Sequence, residues 1–218
     1  MKGLFRDIAN RTGPGLALQE MLYGYIMAML FITATRFGLL QITSNMDLIV
    51  LMVGMDFTWG AIDCILFYAV DVLDQKRMLK NLTSPLPPEE KSELINEDFD
   101  CSPLDLIEDG ARRSICGEVA ALPLQSAEDM RADRRRMFIS AVYCFIATVI
   151  PLIPTVIPLL LIDDLKLAML TASIAGSAII FVIGWRFGRY IGVEGWKSGL
   201  LIAGTAFAIT LAATFTGG

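Results

Sequence analysis

Histidine is absent from the 218 residues, only 19% of them are charged, and no two cysteines stand at C-x-x-C spacing. Without histidine the chain cannot build a His-based triad, a His-ligated zinc or haem site, or an imidazole pH switch. Cys64, Cys101, Cys116 and Cys144 are the only cysteines, and Cys64 and Cys144 fall inside apolar stretches, so reduced thiols are expected and no disulfide framework. Basic excess is missing too: the net charge is −5, which excludes a generally basic surface that coats nucleic acid. Residues 1 to 15 are polar with Lys2, Arg6 and Arg11, and no small-residue cleavage site follows the first apolar stretch, so no cleaved signal is expected.

What the chain has in abundance is apolar surface. Hydrophobic residues make up 55% of it and the mean hydropathy is +0.58, while a soluble domain would carry about 25% charged residues. Five apolar stretches approach the roughly 20 residues that a helix needs to cross a hydrocarbon layer. They cover residues 16–35, 48–70, 138–162, 167–185 and 196–215. Lipid offers no partners for backbone N–H and C=O groups, and no run alternates as a barrel strand would. The expected fold is therefore all-α, a polytopic membrane protein with five transmembrane helices and a small helical cytoplasmic insert between helices 2 and 3. Its parts are residues 1–73, with the N-terminal tail and helices 1 and 2, the acidic insert 74–137, and residues 138–218, with helices 3 to 5.

Sixteen of the eighteen basic residues lie before span one, between spans two and three, or between spans four and five; only Arg36 and Lys166 lie in the other loops. The positive-inside rule then puts the N-terminus in the cytoplasm and, with an odd number of spans, the C-terminus outside. Span three carries Pro151, Pro154 and Pro158, each lacking a backbone donor, which predicts a kinked or broken helix or a re-entrant stretch. In span four, Ser173, Gly176, Ser177, Gly184, Gly188 and Gly192 put small residues on one face and permit close helix contact. The insert carries fourteen acidic and ten basic residues and reads as three helices. One is led by Pro88, one is capped by Ser102 with Pro103 and Asp105, and one is capped by Ser126 with Asp129 and continues into span three. About sixty residues are too few for a self-sufficient core, so the insert is expected to lean on the membrane part or on a second copy.

Ionisable groups inside the spans are the leading candidates for function, since each costs about 2.5 to 3.5 kcal/mol at the bilayer centre. Span two carries Asp56 and Asp63. Seven residues apart, they share one helix face with about 10.5 Å of rise between them, with Trp59, Gly60 and Phe67 on or beside the stripe. Carboxylates along one face suit a cation path, where proton and metal compete for the same oxygens; alternatively both are polar packing residues. Glu20, four residues before Gly24, reads as the inner mouth of such a path or as an interfacial acid near a helix start. Methionines at 21, 27, 29, 52 and 55 supply soft thioethers, of which Met27 and Met55 are candidates for touching an ion; the other reading is core filler. In the insert Glu89, Glu93 and Glu97 share a helix face, with Glu90 and Asp98 alongside, and Glu128 and Asp129 open the last helix. They could converge on a divalent metal, or face solvent as ordinary first-turn acids.

This order of parts resembles the vacuolar iron transporter family. QEMLYG, with Glu20 and Gly24, resembles the family's E-x-x-x-G in span one; IPLIP at 150–154 resembles its proline-bearing third span; Gly184, Gly188, Gly199 and Gly217 fall where glycines mark its last two spans. WGAIDCILFY at 59–68 is similar to the second span of its shorter prokaryotic relatives. The resemblance implies a homodimer that carries ferrous iron, manganese or related divalent ions out of the cytosol in exchange for protons, with spans one and two lining the path. It also implies that the insert's Glu89, Glu90, Glu93 and Glu97 bind metal at the membrane face. The chain departs from the pattern at Met27, where the family usually has an aspartate, and lacks the S-M-x-x-G-E-Y run in span two. Asp56 and Asp63 are then the carboxylates left to take that place.

The expectation is thus a transporter of iron or manganese, with the bilayer and a second copy as partners, no nucleic acid, no resident cofactor and no enzymatic activity. The membrane would be the plasma membrane in a prokaryote. A protein of the same shape that no longer transports, and binds or scaffolds through residues 74–137, is the alternative.

Overall fold

The computed structural model describes residues 2–98, 106–123 and 126–216, and every described regular element is helical. The helices are α1 (Lys2–Thr12), α2 (Pro14–Arg36), α3 (Asn45–Thr83), α4 (Pro88–Asp98), α5 (Asp109–Ala120), α6 (Ala127–Val149), α7 (Leu152–Leu161), α8 (Leu165–Tyr190) and α9 (Gly195–Thr216). Two compact units result: Met1–Leu66 with Ile139–Gly218, and Phe67–Phe138. Four helices, α2, α3, α8 and α9, are long and apolar enough to cross a membrane. The count becomes five if α6 and α7 form one span, and that pair bends by 41° at its break.

In the first unit the core is built from alanine, methionine and branched apolar residues of α2, α3 and α6 to α9, among them Ala28, Ile32, Leu48, Met52, Ala147 and Ile180. Small side chains set the helix spacing. An added Cβ on Gly199 would meet Phe181, one on Gly188 would meet Ser198, and one on Gly195 would meet the Trp185 indole. Of the small-residue face expected on span four, Gly184 and Gly188 lie at the α8–α9 contact. Gly176, in the same series, instead faces Thr155 of α7 and Met29 and Tyr25 of α2. Both α2 and α8 end in a left-handed glycine, Gly38 (φ 75°) and Gly192 (φ 83°). The following N–H reaches back five residues, Leu39 to Ala34 and Val193 to Gly188, as a Schellman stop requires.

The N-terminal segment is a helix, α1, and not merely a polar tail. Ile8 and Ala9 are buried on its apolar face while Arg6, Asp7 and Asn10 are exposed, the arrangement of an amphipathic helix. Arg11 ties it down: its guanidinium stacks over Tyr143 and its carbonyl accepts from the Ser140 hydroxyl at 3.0 Å. In span three the helix breaks once, and Pro158 lies inside α7. Pro151 falls between α6 and α7, and Pro154 sits in the first turn of α7, where its missing N–H is least costly.

The second unit contains α4, α5 and the polar ends of α3 and α6. The helix of span two does not stop at Val70 but continues to Thr83. Ser126 caps α6 as expected, accepting from the Asp129 N–H at 3.2 Å while its hydroxyl donates to Asp129 Oδ2 at 2.7 Å. The cap placed at Ser102, with Pro103 and Asp105, lies outside the described residues; α5 starts at Asp109, with Glu108 at its N-cap. α4 and α5 pack around Ile95 and Cys116, and Arg112 Nη2 donates to the Asn96 carbonyl at 3.0 Å.

Candidate functional site: buried carboxyl groups around Thr148

The buried stripe of α3 is narrow. Leu48, Met52, Asp56 and Gly60 are buried and Asp63 is half-buried, steps of three and four residues that keep one line on the helix, while the flanking Val50, Phe57, Ile62, Ile65 and Leu66 are exposed. Both aspartates therefore lie on the inward line, as their spacing predicts. Trp59 falls off it and is exposed, and Phe67 is half-buried. Asp56 has no accessible surface, and neither of its carboxyl oxygens has a hydrogen-bond partner.

Thr148 of α6 organises the rest. On α2, Glu20 is fully buried, and Thr148 Oγ1 donates to its Oε2 at 2.9 Å. One turn on, an added Cβ on Gly24 would collide with the Thr148 carbonyl oxygen. From α3, Gly60 abuts the Thr148 side chain and the Phe145 ring. The E-x-x-x-G pattern thus has a physical meaning here: glycine lets α2 approach α6, and glutamate one turn earlier collects the hydroxyl that this approach brings within reach. Asp63 comes close enough to Glu20 for the two carboxyl groups to interact directly, while Glu20 Oε1 and Asp63 Oδ2 find no partner by hydrogen-bond geometry. Two acids side by side among apolar helices call for positive charge, a proton or a cation, between them.

The methionines separate. Met21, Met29 and Met52 are core residues, Met27 is half-buried, and Met55 is exposed, one helical step off the line that carries Asp56. In the second unit Glu89, Glu90, Glu93, Glu97 and Glu128 are all exposed. Glu89 and Glu93 line a groove with Arg112 and Arg113 of α5, so guanidinium groups share the space where metal was expected. Glu128 sits in the first turn of α6, where the helix dipole favours an acid. Among the described residues no three aspartate, glutamate or cysteine side chains gather as ligands for one ion. Cys64, Cys116 and Cys144 form no disulfide, and Cys101 lies outside the described residues.

Reading for ionisable residues alone missed Thr148, since a threonine in an apolar run carries no charge to mark it. The pair Glu20–Asp63 was missed because no sequence spacing relates two helices. No protein-family model, curated protein or solved structure matches the chain.

Proposed function

We propose that the protein moves divalent metal cations, iron or manganese, out of the cytosol in exchange for protons, as a homodimer of the vacuolar iron transporter kind. The observation that carries this reading is the set of acids withdrawn into apolar helices: buried Glu20 beside half-buried Asp63, with Thr148 on Glu20, and buried Asp56 further along the same line of α3. Such groups are expensive in a membrane and are retained where they serve an ion or proton path. Glu20 and Asp63 offer up to two negative charges to a divalent ion, and Thr148 adds a neutral oxygen. With fewer than three acids gathered, water or a second copy would complete the ligand shell. The glutamates of α4 would raise the local cation concentration rather than hold one ion tightly, since they are exposed and share their groove with arginines.

The experiment is reconstitution of the full-length protein in liposomes with iron, manganese, cobalt, zinc and magnesium ions in turn and a pH-sensitive dye in the lumen. Metal flux accompanied by proton movement in the opposite direction is the expected result. The second reading, a membrane-anchored binding or scaffolding protein, draws on the absence of a gathered acidic cluster among the described residues. It predicts no flux for any ion.

A further inference from the structure

Span three breaks at the level of Asp56. Helix α3 runs antiparallel to α6 and α7: Asn45 Nδ2 donates to the Ile162 carbonyl at 2.6 Å, and Gly60, on the buried line of α3, abuts the Thr148 side chain. Asp56 lies one turn from Gly60 on the same line of α3, so these two pairs bring it level with residues 150–152, where α6 has ended at Val149 and α7 begins at Leu152. Backbone donors are short in that gap. Pro151 has no N–H to offer the Ala147 carbonyl, and the Ile153 N–H goes to Ile150 at 3.3 Å rather than to Val149. The last turn of α6 therefore presents carbonyl oxygens at the negative end of its dipole. Opposite lies a fully buried carboxyl group with both oxygens unpartnered. Carbonyl ends of broken helices set against an acid form a setting for a cation in membrane proteins.

We propose that Asp56 and the carbonyl end of α6 form a binding site for one sodium ion, separate from the Glu20–Asp63 pair. All the donors are hard oxygens, which excludes a preference for soft metals. Only one formal negative charge is present, because burial alone acts on Asp56 and no neighbouring charge does. A monovalent ion neutralises that charge, whereas a divalent ion would leave a net positive charge buried among apolar helices. The inference goes beyond the divalent-transport reading, and a binding measurement without flux keeps the two apart: either can fail while the other stands.

The test uses purified full-length protein, with radioactive sodium binding and thermal unfolding in sodium chloride against choline chloride at constant ionic strength. Saturable sodium binding and a sodium-dependent rise in unfolding temperature are expected for the parent. Asp56→Asn should abolish both, and Pro151→Ala, which gives the Ala147 carbonyl a donor, should weaken sodium binding about tenfold. Glu90→Gln, an exposed acid of α4, should change neither. If the Asp56 variant does not fold, the Pro151 variant decides. Absence of sodium binding by the parent, or unaltered binding by the Pro151 variant or by a folded Asp56 variant, overturns the proposal.

Discussion

Thr148 shows how much one uncharged residue can fix. Its hydroxyl donates to Glu20 and also approaches the Cys144 carbonyl at 3.1 Å, its carbonyl oxygen sits against Gly24, and its side chain touches Gly60. Replacing it by valine keeps the shape and removes the donor. Thr148→Val should lower stability by about 1–3 kcal/mol, since a buried acceptor loses its partner, while Thr148→Ser should recover most of that. Thermal unfolding of the purified protein checks both. Gly24 gives a second test at this scale. Gly24→Leu forces α2 away from α6 and should cost about 1–3 kcal/mol or more, whereas Gly54→Ala, with open space around its Cβ position, should stay within about 1 kcal/mol of the parent. Equal unfolding temperatures for the two variants would refute the idea that the α2–α6 approach depends on Gly24.

At the scale of elements, the sequence carried the apolar spans well. They fall within α2, α3, α8 and α9 because lipid-length hydrophobic runs leave few alternatives. The prolines located the break of span three for the same local reason: a missing donor is a property of the residue itself. What could not be read is any feature that depends on two distant helices, such as Asp63 meeting Glu20 or the arginines of α5 sharing the groove of Glu89 and Glu93. Helix α1 is hidden in the sequence because its polar residues mask a two-sided pattern with Ile8 and Ala9 on one face. The α8–α9 contact carries its own prediction. Gly195→Ala places a methyl group against the Trp185 indole and should destabilise the protein by about 1–3 kcal/mol, while Gly204→Ala, with nothing nearby, should not. Unfolding midpoints of the two variants decide this.

In the molecule as a whole, the apolar surface is spent on crossing a membrane and a few costly groups are kept inside it. Exposed acids are numerous in the second unit, and no three of the described ones gather; in the first unit Glu20 and Asp56 are buried and Asp63 is half-buried. That contrast makes the intramembrane carboxyl groups, and not the acidic helices, the centre of the account. If they lie on the ion's route, neutralising them must affect transport more than neutralising the exposed ones, even though amides keep their size and remove a costly charge from the interior. The most direct test is the initial rate of manganese flux into liposomes for Glu20→Gln and Asp63→Asn beside Glu90→Gln, each first shown to be folded by its unfolding midpoint. A fall of about tenfold or more for the two buried-site variants, with the Glu90 variant near the parent rate, is the predicted result; parent-like flux in folded Glu20→Gln and Asp63→Asn proteins would contradict it.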